Sequence, residues 1–184
     1  MTWKSHRILT ATSVFAITHS YVFAFIAMCG SIFPDKIEYL FYATETEWKK
    51  HHRTLSHWFV PYAVFCLSAY WFLYYHHLLM KNIAGIDFFI AEKVSIWAIF
   101  IIILNFAFWY FIGALFHLAE DAFCGGLPVL SPNRRMKFIR LFYVRTTREF
   151  FISYGLSVII IIYSTNSGKM LLYWLKHLMY GVMR

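Results

Sequence analysis

His117 and Asp121 lie four residues apart in Gly113-Ala-Leu-Phe-His117-Leu-Ala-Glu-Asp121, so a helix stacks them on one face. An imidazole and a carboxylate placed this way can grip one divalent ion or bridge two. Glu120 lies near that face and could substitute. The plainer alternative is a helix-end histidine with solvated acidic neighbours. A second group is His51-His52-Arg53-Thr-Leu-Ser-His57. His52 and His57 are five apart, about 140° around a straight helix, so they cannot share its face. His52 is therefore expected in a loop or first turn, with His57 just inside the next apolar stretch. Arg53 can bind an anionic oxygen bidentately or contact lipid headgroups. The third group, Pro34-Asp35-Lys-Ile-Glu38, carries two carboxylates three apart that can face one point, although Pro-Asp is also common punctuation at a helix end.

These three segments gain meaning when taken together. His52, His57, His117, Asp121, Asp35 and Glu38 all fall at the same ends of apolar stretches, where ionisable groups are costly and tend to mark function. Mixed imidazole and carboxylate donors suit zinc, manganese or iron better than the oxygen-only shells of calcium or magnesium. His76, His77 and His177 read as interfacial side chains. His19, at a polar break, is expected to satisfy backbone there.

The elements that must position these groups are membrane elements. Of the 184 residues, 60% are hydrophobic and only 14% charged, against roughly 25% charged in soluble domains. The expected fold is all-α, a polytopic membrane helical bundle forming a single domain over residues 1–184. No cleavable signal peptide is expected, because no small-residue cleavage site follows the basic start. The formal charge of +8 falls in loops beside apolar runs, which points to membrane orientation and anionic headgroups rather than nucleic acid. Cys29, Cys66 and Cys124 form no CxxC pair and read as small buried hydrophobes.

A spanning helix needs about 20 apolar residues. Trp58 to Met80, Val94 to Phe116 and Phe150 to Thr165 are the three expected spans. Ile8 to Phe33 is interrupted by Thr18-His19-Ser20. It is either one span, which composition slightly favours, or a re-entrant hairpin with arms Ile8 to Ile17 and Tyr21 to Phe33. Only the hairpin puts His6 and Asp35 on one side. Lys169 to Arg184 reads as an amphipathic interfacial helix. The loops Pro34 to Ser56 and Cys124 to Arg148 hold most of the Lys and Arg, which assigns that face to the cytoplasm.

His6-Arg7, Pro34-Asp35, His52-Arg53-x-x-x-His57 and Gly113-x-x-x-His117-x-x-x-Asp121, followed by a Gly-Leu-Pro turn, in this order resemble the YdjM-like family. Its members are bacterial inner-membrane proteins described as metal-dependent hydrolases and distantly similar to zinc-dependent phospholipase C. The resemblance covers His6 to Glu149. It implies His6, Asp35, His52, His57, His117 and Asp121 as metal ligands or their neighbours, and it favours the hairpin. The chain departs from the family pattern at Glu38, where the family often has Pro-Asp-x-Asp-His. It departs again at Thr146-Thr147-Arg148-Glu149, where a Thr-Gly-Ser-x-x-Glu element is usual. Glu38, Glu120 and Glu149 are accordingly additional candidate ligands.

The expected function is hydrolysis of a phosphoester or lipid-type ester at the cytoplasmic face of a multi-pass bacterial inner-membrane protein. A divalent metal, zinc first and manganese or iron next, would be the cofactor. Asp35, Arg53 and Asp121 are the expected catalytic residues, and Arg134 or Arg135 could help neutralise a phosphoryl group. Membrane lipids are the expected partners, with a second copy or a membrane complex as further possibilities. The alternative is a non-catalytic membrane subunit carrying a structural or vestigial metal site.

Overall fold

The computed structural model describes residues 1–42, 44, 46–48, 53, 55–79, 96–132, 134–136, 141, 143–165, 168–170 and 173. Its helices are α1 (Trp3–Thr18), α2 (Tyr21–Gly30), α3 (Phe33–Tyr39), a 3-10 turn at Leu55–His57, α4 (Phe59–Tyr75), α5 (Ile96–Ala122) and α6 (Thr147–Ser164). Two short antiparallel strands, β1 (Leu127–Ser131) and β2 (Arg134–Met136), form the only sheet among the described residues. The class is all-α, as the composition predicts. His52 and nearly all of the expected C-terminal amphipathic helix lie outside the described residues.

The break at Thr18-His19-Ser20 reverses the chain. His19 adopts a left-handed backbone (φ 52°) and its N–H donates to Phe15 O at 2.7 Å. Ser20 Oγ then caps α2 by accepting from Phe23 N. The polar break is thus satisfied by Thr18 and Ser20, with Ser20 N donating to Thr18 Oγ1. The His19 ring stays exposed, which corrects the role expected of it. Helices α1 and α2 pack as a hairpin, and the single-span alternative is excluded.

α1 packs against α2 and α6, α2 against α5, and α5 against α4. Val14, Phe23, Ala27, Cys66, Leu73, Phe108 and Trp109 form the shared core, with Phe23 stacked on Trp109 at 5.6 Å. The three cysteines are free, Cys66 and Cys124 buried, as read from the sequence. α5 and α6 are long and apolar enough to cross a membrane. α4 has 17 residues, the lower limit of the usual spanning range (about 17–25).

α6 is built the reverse way from a helix in a soluble protein. Its buried residues are Glu149, Ser153 and Ser157, while Phe151, Val158 and Ile159 are exposed. The serine hydroxyls donate to carbonyls one turn back, so no polar group is stranded. An apolar outer face over a polar inner face is what hydrocarbon as solvent demands.

The α2–α5 crossing fixes the depth of the site. A Cβ on Gly113 would stand 2.0 Å from Ala27 O, and one on Gly30 would stand 1.8 Å from Tyr110 O. Only glycine permits backbones this close, the small-residue packing used where lipid gives no hydrophobic drive between helices. Gly113 lies one turn before His117 on α5. Gly113→Ala is therefore expected to push α5 off α2 and to destabilise the fold by about 1–3 kcal/mol or more. A lowered thermal unfolding midpoint in detergent, together with weakened metal binding, checks it.

Candidate metal centre

Four helical segments deliver ionisable side chains to one buried point. His6 comes from α1, Asp35 and Glu38 from α3, His57 from the 3-10 turn, and His117, Glu120 and Asp121 from the end of α5. All seven are buried, and the three imidazoles are completely inaccessible. Arg53 reaches in from the segment before the turn.

Four donor atoms converge. His57 Nε2 lies 3.2 Å from His117 Nε2 and 3.2 Å from Asp35 Oδ1. His117 Nε2 is 3.6 Å from Asp35 Oδ1. Asp121 Oδ2 is 3.8 Å from each imidazole nitrogen. A tetrahedral ion with bonds of about 2.0–2.1 Å separates its ligands by roughly 3.4 Å. The protein holds the atoms of Asp35, His57 and His117 near that spacing already.

The hydrogen bonds around the cluster say which nitrogens carry lone pairs. Ser56 Oγ donates to Glu38 Oε1 at 3.0 Å, so it accepts from His57 Nδ1 at 2.9 Å. That places the ring proton of His57 on Nδ1 and leaves Nε2 as a lone pair aimed at His117 and Asp35. His6 Nδ1 stands 2.6 Å from Glu120 Oε2, and Thr10 Oγ1 donates to the other oxygen at 3.2 Å. His6 Nε2 is left buried without a hydrogen bond, 3.4 Å from Asp121 Oδ1. Lone pairs and carboxylate oxygens turned toward one another inside a protein are repulsive unless a cation lies between them. Carboxylate and hydroxyl partners behind ligand imidazoles are the usual means of orienting metal-binding histidines.

Two overlapping ligand sets result: Asp35, His57 and His117, and His6, His117 and Asp121. Asp121 turns Oδ2 to the first set and Oδ1 to His6, the posture of a bridging carboxylate. Its charge also receives Arg53 Nη2 at 2.9 Å and the Met1 amino group. Asp35 is held from behind by Trp3 Nε1, which donates to Oδ2 at 2.7 Å.

The structure brings together His6, Asp35, His57, His117 and Asp121. It places Glu120 and Glu38 behind His6 and His57, in contact with their Nδ1 sides. Glu38 also accepts from Arg53 N at 3.1 Å, tying the segment before the turn to α3 while Arg53 holds a left-handed backbone (φ 65°). Glu149 stands apart from both ligand sets. Its oxygens accept from Thr2 N and Arg145 N, each at 2.6 Å, which anchors the start of α1 to α6. Arg134 and Arg135 are exposed on β2. Sequence reading missed Trp3, Thr10 and Ser56. Only Ser56, next to a candidate ligand, had any local signal.

A helical protein with outward apolar faces and a buried imidazole–carboxylate cluster at the ends of its helices is a membrane protein with a candidate metal centre. The sequence pattern of the YdjM inner membrane protein family matches residues 1–184. The chain belongs to that family, and it is an inner membrane protein. No curated protein and no solved structure matches it.

Proposed function

We propose that this protein is a metal-dependent hydrolase acting on a phosphoester or lipid-type ester at the cytoplasmic face of the inner membrane. The observation that carries this is the convergence of His57 Nε2, His117 Nε2 and Asp35 Oδ1 at 3.2–3.6 Å, with Asp121 Oδ2 3.8 Å from both nitrogens. Their nitrogen and oxygen donors favour zinc, with manganese or iron as the other fitting ions.

When bound, the ion supplies Lewis acidity, making water nucleophilic near neutral pH and polarising the scissile ester oxygen. The residues of the chain do the rest. Asp35, His57 and His117 would hold one position, and His6, His117 and Asp121 a second that overlaps it. Ser56 and Glu38 lock the His57 ring, and Glu120 locks His6. Arg53, only 15% exposed and already beside Asp121, can turn its guanidinium to an anionic substrate oxygen and neutralise charge that builds there. Ten of the 17 Lys and Arg residues fall in the sequence segments 34–56 and 124–148, which supports a cytoplasmic orientation of this end.

The test is turnover of phospholipid and generic phosphodiester substrates by purified protein, stripped with chelator and then given back zinc or manganese. Loss on stripping and recovery on addition are expected. Tight metal binding with no turnover of either substrate would defeat the hydrolase reading in favour of a metal-bearing structural subunit.

A further inference from the structure

Beside the cluster lies a cavity of about 430 Å³ between α3, the Leu55–His57 turn and the start of α4. Its walls include Ile37, Phe41, Leu55 and Pro61, and its polar groups include Glu38 and Ser56. Those same two residues form the hydrogen-bonded layer behind His57. The cavity therefore ends one side chain away from the candidate metal position.

We propose that this cavity receives one aliphatic chain of an anionic membrane amphiphile, whose polar ester end lies at the metal cluster. The inference rests on the hydrolase reading and names its substrate class. Three observations favour that occupant. Glu38 is buried and already accepts from Arg53 N and Ser56 Oγ, so the polar end of the cavity is satisfied and the remaining wall rewards apolar contact. Phe41 and Leu55 are largely exposed, at 76% and 67%, and large apolar side chains are left bare where lipid meets them. Arg53 stands at the cluster end in a chain of formal charge +8, matching an anionic headgroup. The volume falls near the lower end of the usual range for small-molecule sites (about 300–1,000 Å³), enough for one chain. Affinity is expected to rise about fourfold per added methylene until the chain outgrows the cavity.

The experiment uses the full chain in detergent micelles with a dodecylphosphonate carrying a terminal diazirine, a probe that hydrolysis cannot consume. Photolabelling followed by peptide mapping is expected to place adducts within residues 37–42 and 55–62. Ile37→Trp should fill the cavity and reduce those adducts at least tenfold, with adducts on the outer face of α6 unchanged. Should that variant not fold, Leu55→Trp gives the same reading. Adducts confined to outward faces, no effect of either variant, or displacement by inorganic phosphate as effective as by unlabelled dodecylphosphonate would overturn the inference. Labelling needs no turnover. A chain that labels yet hydrolyses nothing defeats the hydrolase reading, and one that hydrolyses without labelling here defeats only the chain-binding site.

Discussion

His117→Ala is expected to leave the purified protein with no stoichiometric divalent metal. His117 is the one residue common to both ligand sets, so its loss degrades two positions together. Apparent zinc affinities of about 10–16 kcal/mol for four-ligand sites imply roughly 2.5–4 kcal/mol per ligand. One lost ligand then weakens each position on the order of a hundredfold to a thousandfold. Elemental analysis after dialysis against limiting zinc reads this directly, with hydrolysis of the best substrate expected to fall in step. Metal retained at wild-type stoichiometry would remove the cluster from consideration as a metal site. Fold loss is a poor explanation for a positive result, because α5 is held by Gly113 against α2 and by the apolar core below it.

Asp121→Asn should have the opposite balance of effects. The amide keeps the volume of the side chain but cannot carry the charge that faces His6, His57, His117 and Arg53. Arg53 is then a mostly buried cation without its carboxylate. Breaking a buried pair from one side costs about 3–5 kcal/mol, so metal-free Asp121→Asn should unfold at a clearly lower temperature than metal-free His117→Ala. Losing a carboxylate donor should also lower metal stoichiometry and reduce turnover by at least a hundredfold. Equal unfolding midpoints for the two stripped variants would mean that Asp121 does not hold the cations of the site, which calorimetry or scanning fluorimetry in detergent can decide.

These two variants separate the jobs that the cluster combines. Imidazoles fixed by Glu120 or by Ser56 and Glu38 contribute mainly when a metal is bound. Asp121 contributes in both states, because cations surround it either way. A protein embedded in lipid has few means of compensating an unpaired charge, so the contrast should be larger here than at a water-exposed site.

The residue types and spacing already held the helical class, the apolar runs that become α4, α5 and α6, and His117 with Asp121 on one helical face. The reason is that these properties are local: periodicity and apolar run length are written within one turn or one span. The order of segments resembling the YdjM-like family added His6, Asp35 and His57, which the structure gathers with the other two. Composition alone tipped Ile8–Phe33 toward one continuous span, since a polar triplet in an apolar run does not say whether the chain passes through or turns back. The left-handed His19 and the Ser20 cap turn the chain back, and the packing of α2 on both α1 and α5 holds the hairpin. Glu38, Glu120 and Glu149 looked alike in the sequence. Packing gave the first two to ring nitrogens and the third to backbone amides of Thr2 and Arg145, because a carboxylate's partner is set by which distant segment arrives beside it. The short β1–β2 pair, too brief to show an alternation, emerged only in the fold. Which atoms point inward at 3.2–3.8 Å is a property of helix crossings, and glycines at those crossings, rather than ligand spacing along the chain, set it.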